Sequence, residues 1–246
     1  MSRADGRIVY VCGSSGSGKS AYVKAQLRHH PRVLIWDVDA EYAPLPGVVG
    51  VSSPADLVGR VRRLSGPGRL AYVPDRLDRF DWFCRLAFAW GQFAACAVIA
   101  EETADVTSPG KAPAGWGTLI RRGRKYGIVT YAVTQRPSES DKTALGNAAV
   151  VRVGRLARAP DRAYMARELD IPQSRLDALR PLDWIERTAA GEVTAGRLSF
   201  PPGSAAPSKP PRARPLPGSR RTDPDRRPPP APAAPAPAAG WTLDDI

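Results

Sequence analysis

GSSGSGKS, Gly13 to Ser20, limits the folds open to this chain more than any other stretch. It fits the phosphate-loop pattern G-x-x-x-x-G-K-[ST], for which a chance match in a chain this long is about a one-per-cent event from average residue frequencies. Its flanks are those the motif requires: RIVYVC (7–12) reads as a strand, and AYVKAQLRHH (21–30) reads as helix. The glycines let backbone N–H groups curl around phosphate oxygens, at a helix N-terminus that already favours negative charge. Gly13, Ser14, Ser15, Gly16, Ser17, Gly18, Lys19, Ser20 and Ala21 are therefore the candidate nucleotide-binding positions. Lys19 would reach the β- and γ-phosphates and the Ser20 hydroxyl would ligate Mg²⁺, so ATP and Mg²⁺ are the expected cofactors.

A strand feeding a helix through such a loop belongs to a parallel α/β arrangement, and the following sequence continues the alternation. Strands are predicted at 7–12, 33–37, 69–73, 96–100, 128–133 and 149–154, each short, β-branched or aromatic, and bounded by turn residues. Helices are predicted between them at 18–29, 55–64, 79–93, 115–125, 138–145 and 160–169. The fold class is thus α/β, a three-layer P-loop domain with a mainly parallel sheet. Residues 183–200 differ, reading as a C-terminal antiparallel hairpin around Ala190-Gly191. Beyond Phe200 lie 14 of the 26 prolines and almost no large apolar side chain before Trp241. This composition cannot bury enough surface to fold, which divides the chain into a domain, 1–200, and a disordered Pro/Ala/Arg-rich tail, 201–246.

The net charge is +12, and the tail's seven Lys/Arg against four Asp leave most of it on the domain. An acidic partner is implied, nucleic acid or an anionic membrane surface. Leu86–Ala100 is too short to span a bilayer and contains Gln92, so no transmembrane segment is expected. The first residues lack the apolar core of a signal peptide. Cys12, Cys84 and Cys96, odd in number and set in apolar runs, read as reduced buried thiols of a cytoplasmic protein. The adjacent His29 and His30 make a poor metal site and read as a surface cap at a helix end.

Hydrolysis at a phosphate loop needs acids at the tip of a neighbouring strand. CAVIAEE (96–102) offers Glu101 to hold Mg²⁺ and Glu102 to polarise the attacking water. The block RRGRKYGIVTYAVTQRP (121–137) is less ordinary, because it packs Arg121, Arg122 and Arg124 before a buried strand and ends that strand on Thr134-Gln135. Neither a loop nor a solvated helix calls for such residues.

With these residues in place, the chain resembles the FtsK–HerA superfamily of ring-forming, DNA-pumping ATPases from about Arg7 to Gly154, and more weakly to Phe200. The likeness rests most on GRKYGIVTYAVTQRPSES and on IWDVDAEY (35–42). Within the superfamily, the chain most resembles the genome-packaging ATPases of tailless, membrane-containing icosahedral (tectivirus-like) phages. The resemblance implies a strand carrying Gln135 beside the phosphate-loop strand, with the amide sensing the γ-phosphate or orienting water. It also implies an arginine finger reaching across a subunit boundary, assigned to Arg124 with Arg121 and Arg122 as alternatives. The family usually ends its acidic strand in Asp-Glu where this chain has Glu-Glu.

The expected function is ATP-driven translocation of double-stranded DNA by a homo-oligomeric ring, a hexamer, located in the host cytoplasm or with the virion. WTLDDI (241–246) on its proline-rich tether reads either as a peptide that docks on a partner, a capsid-vertex protein, or as a plain disordered end. Two rivals are a nucleotide kinase, in which Thr-Gln-Arg-Pro has no task, and an assembly ATPase of filamentous-phage type, whose relatives usually carry a transmembrane helix.

Overall fold

The sequence alternates apolar runs with amphipathic ones, and the chain folds accordingly into one nine-stranded sheet covered by helices. The computed structural model describes residues 5–199, so the tail expected at 201–246 lies outside the described residues. The strands are β1 (Arg7–Cys12), β2 (Arg32–Trp36), β3 (Val49–Val51), β4 (Gly68–Tyr72), β5 (Ala97–Ala100), β6 (Val129–Thr134), β7 (Val150–Gly154), β8 (Asp183–Thr188) and β9 (Val193–Arg197). Their order in the sheet is β3-β4-β2-β5-β6-β1-β7-β8-β9. Neighbours pair in parallel from β3 to β7, and β8 and β9 add an antiparallel edge. The expected α/β class, mainly parallel sheet and terminal hairpin are all present.

The helices are α1 (Lys19–Gln26), α2 (Pro54–Arg63), α3 (Phe80–Phe93), α4 (Thr103–Val106), α5 (Ala114–Arg122), α6 (Lys142–Gly146), α7 (Ala159–Leu169) and α8 (Gln173–Asp177). Apolar side chains alternate across the strands and fill a core on each face of the sheet. One core, around Trp36, Phe83, Trp90 and Trp116, holds α3, α5 and α7; the other, around Val9, Val11, Ile35 and Val133, receives Val23 and Leu27 from the α1 segment. Burial on both faces explains why β2, β5 and β6 read as continuous apolar runs without alternation.

Short elements escape the sequence pattern. Strand β3 is three residues long and α4 four, below the length at which periodicity can be read. The helix predicted at 138–145 shrinks to α6, because Pro137 and the side-chain-bonded serines after it keep the preceding residues in turns. The helix predicted at 115–125 stops at Arg122 and tightens into a 3₁₀ turn over Gly123–Tyr126.

The cysteines are free and buried as expected, and burial pushes the Cys96 thiol up to about 12. Of the two histidines, His29 is exposed as expected, whereas His30 corrects the surface-cap expectation: it is buried, and its Nε2 lies 2.8 Å from the Tyr131 hydroxyl. Burial, aided by the nearby charge of Arg7, lowers its pKa to about 4. The folded-state value therefore lies below that of the unfolded chain. Between about pH 6.5 and pH 4 the unfolded state takes up a proton that the folded state refuses, so His30 should remove stability as pH falls through that window and none above it. Other groups titrate there too. The difference between the melting profiles of wild type and His30→Gln isolates this contribution, and a difference that is flat from pH 7 to pH 4 would contradict it.

Candidate active site

β1 ends at Cys12, and the chain turns back through Gly13–Gly18 into α1, whose first residue is Lys19. Gly16 and Gly18 lie at φ 76° and 93°, the left-handed region that a side chain would strain. A Cβ at Gly16 would meet no atom within 4 Å, so the crest of the loop is open. One at Gly18 would come within 2.4 Å of Leu198 Cδ1, which shows the end of the hairpin packed on the shoulder of the loop. The frame is pinned to both neighbours of β1. The Gly13 N–H donates to Thr134 O (3.2 Å), and the Ser14 N–H and hydroxyl both donate to Arg155 O at 2.8 Å.

The first turn of α1 holds no acidic residue, so its outward N–H groups keep their partial positive charge. Lys19 is buried, with Nζ 3.4 Å from Ser14 O at the base of the loop. An open crest, a helix N-terminus without an acid in its first turn and a buried lysine fit a triphosphate. The Ser20 hydroxyl and a nearby carboxylate are oxygen donors of the kind Mg²⁺ takes.

The carboxylates come from the end of β5, which β6 separates from β1. Glu101 remains in line with its strand, donating its N–H to Trp36 O (3.3 Å). Glu102 then takes φ 48° and ψ 52°, an uncommon conformation for a residue other than glycine, and α4 begins at Thr103. This bend sends the two adjacent side chains apart. Glu101 Oε1 accepts from the Tyr42 hydroxyl, on the β2 side, while Glu102 Oε1 accepts from Gln135 Nε2, on the β6 side. Burial pushes the Glu101 carboxyl up to about 7, opposed by the Tyr42 hydrogen bond and the charge of Lys19.

Gln135 follows the last residue of β6, and the loop after it is closely held. Asp161, itself buried, accepts from the Ser138 N–H and hydroxyl at 3.1 and 2.7 Å. The Ser140 hydroxyl lies 3.0 Å from that of Tyr10. Glu139 joins Arg136 and Arg158. The Thr-Gln-Arg-Pro-Ser run is thus anchored to β1 and α7, which fixes where the glutamine amide emerges.

The phosphate loop, Glu101, Glu102 and Gln135 gather at the C-terminal ends of the parallel strands. Arg124 does not join them. It lies exposed in the turn before β6, where a Cβ on Gly6 would come within 2.3 Å of its carbonyl oxygen. The six residues of β6 put about 20 Å between that end of the sheet and the phosphate loop. Arg121 and Arg122 share this end, with the Arg122 guanidinium 5.9 Å from the Phe88 ring centre. None of these arginines can reach its own chain's phosphate loop. A groove of about 960 Å³ between α7, Lys142 and Pro172 contains none of the expected site residues.

Sequence reasoning gave Tyr42 and Asp37 no role. Asp37 is buried and accepts N–H groups from Glu41 (2.8 Å), Tyr42 (3.0 Å) and Ala43 (2.9 Å). The only signal was IWDVDAEY itself, since nothing in it reveals that the loop folds back onto the β5 tip.

No family model matches the chain. It is 40% identical over 166 residues to protein P9 of Pseudoalteromonas phage PM2, a match covering 65% of this chain and 74% of that protein. In fold it is similar to the genome packaging NTPase B204 from Sulfolobus turreted icosahedral virus 2 in complex with AMPPCP, with TM-score 0.65, 16% identity, and 80% of this chain and 99% of that one covered. It is also similar to VirB4 of Thermoanaerobacter pseudethanolicus, with TM-score 0.57, 12% identity, and coverage of 82% and 92%. At such identities the solved structures establish the fold alone, the one that the likeness read from the motifs implies. The match to a phage protein establishes kinship: the chain belongs to the family of protein P9 of phage PM2 and carries the fold of viral genome-packaging NTPases.

Proposed function

We propose that the protein is an ATPase that works as a homo-oligomeric ring, a hexamer, and drives double-stranded DNA into a viral capsid. The observation that carries this reading is the meeting of Glu102 with Gln135 beside the phosphate loop. A carboxylate that can accept a proton from water then touches an amide that can report on the γ-phosphate, so nucleotide state and catalytic base are linked by one hydrogen bond.

Lys19 and the N–H groups of the loop hold the phosphates and offset charge developing on the transferred group. Ser20 and Glu101 would hold Mg²⁺, which when bound neutralises phosphate charge. Glu102 takes the proton of the attacking water, and Gln135 fixes the direction of its carboxylate. Glu102→Gln keeps the shape and loses the basicity, so it should bind ATP normally and hydrolyse it about 10²-fold more slowly. A slow Glu101→Gln beside an active Glu102→Gln in the same assay would reverse the two assignments.

The excess of basic residues supports a polyanionic partner. Double-stranded DNA of any sequence should stimulate hydrolysis, and DNA affinity should fall steeply with salt as lysines and arginines displace counterions from phosphates. ATPase rate with and without DNA, at two salt concentrations and alongside native mass, tests this. Tight, salt-independent binding to one sequence would favour a regulator. Phosphoryl transfer to a nucleoside monophosphate would favour a kinase.

A further inference from the structure

We infer that Tyr42 is a positioning residue for Glu101: fixed by Asp37, its phenol holds one carboxylate oxygen and so sets how the other is offered to the metal. The inference rests on the assignment of Glu101 to Mg²⁺ proposed above. β2 and β5 are neighbours in register, Trp36 opposite Ala100, so the residues that follow each strand emerge side by side. Asp37 then folds its loop back by gathering the N–H groups of Glu41, Tyr42 and Ala43 on one buried carboxylate. Ala40 is held at φ 53°, a strained position for alanine that tightens this turn.

The loop is also tied to the helix of the phosphate site. Glu41 pairs with Lys24 of α1 at 3.2 Å, and the same ammonium lies 5.2 Å from the Tyr42 ring centre. Tyr42 is completely buried, so its ring cannot swing, and its hydroxyl meets Glu101. A glutamate left to itself would sample several rotamers, and restricting them at each metal-binding event would cost entropy. The phenol removes that freedom in advance. It does so without adding a further positive charge that would compete with the cation.

Tyr42→Phe removes one hydroxyl and keeps the ring, which makes it the direct test. The readout is binding of a fluorescent, non-hydrolysable ATP analogue by the full chain, titrated with Mg²⁺ and repeated in EDTA. Tyr42→Phe should leave affinity in EDTA within twofold of wild type and raise the Mg²⁺ concentration for half-maximal effect about tenfold. Glu101→Gln should abolish most of the Mg²⁺ dependence. Glu101→Asp, which withdraws the carboxylate from both the phenol and the metal by about one bond length (~1.5 Å), should raise the half-maximal Mg²⁺ concentration at least tenfold even if Tyr42→Phe folds poorly. Adding Tyr42→Phe to Glu101→Asp should then raise it no further, because the phenol contact is already broken. A Tyr42→Phe protein with unaltered Mg²⁺ dependence beside a defective Glu101→Gln would overturn the positioning role alone. Unaltered Mg²⁺ dependence in Glu101→Gln would instead overturn the underlying metal assignment. Additive rises in the double variant would show that the two residues act separately.

Discussion

Replacing Lys19 with alanine should slow ATP hydrolysis by about 10³-fold or more while leaving the fold intact. Lys19 is buried at the base of the phosphate loop, yet it belongs to neither apolar core, so its loss opens no cavity among packed side chains. What disappears is the positive charge facing the site where the transferred phosphoryl group gains negative charge. A second consequence follows at Glu101. The ammonium is one of the influences holding that carboxyl down against burial, so without it Glu101 should be protonated over a wider pH range and offer a poorer metal ligand. Raising the pH should therefore recover some Mg²⁺-dependent nucleotide binding in Lys19→Ala and none of the missing charge stabilisation. Hydrolysis within tenfold of wild type, in a variant whose melting temperature is unchanged, would remove the phosphate-loop hypothesis.

The sequence was informative wherever one local pattern determined the outcome. RIVYVC before GSSGSGKS fixed the strand, loop and helix together, because each constrains the next. The apolar runs marked six of the strands to within about a residue, since strands buried on both faces leave little freedom at their ends. Glu101 and Glu102 could be picked out as a pair and given separate roles, but the sequence did not show how their side chains part. Their division depends on the left-handed backbone at Glu102, and no residue preference announces a strained glutamate. Tyr42 was hidden for a different reason. Its contact lies 59 positions away in sequence and depends on β2 and β5 being neighbours, which is topology and not pattern. The burial of His30 was lost in the same way, because its partner Tyr131 comes from β6, far along the chain. Arginine function was the least legible, since the turn before β6 puts Arg124 at the end of the sheet remote from its own nucleotide site.

That placement gives the largest effect expected of any single change. If Arg124 completes a neighbour's site, Arg124→Ala should bind ATP with normal affinity and lose about 10³ to 10⁵ in turnover, the range by which arginine fingers act in phosphoryl transfer. The distance of about 20 Å from its own phosphate loop makes a contribution within the same subunit untenable. Wild-type protein diluted below the assembly concentration should then fall to the rate of the variant, and its rate per subunit should rise with concentration as rings form. Mixing Arg124→Ala with Lys19→Ala separates the possibilities. Each defect disables a different side of an interface, so a mixed ring contains some junctions with an intact Lys19 on one side and an intact Arg124 on the other. Partial activity should return on mixing. If assembly of the mixture is confirmed by native mass, and wild-type subunits still turn over when diluted by either variant, a mixture that stays inactive assigns the finger elsewhere. Arg121 and Arg122, exposed at the same end of the sheet, would be the next residues to exchange, and the same mixing test would discriminate between them.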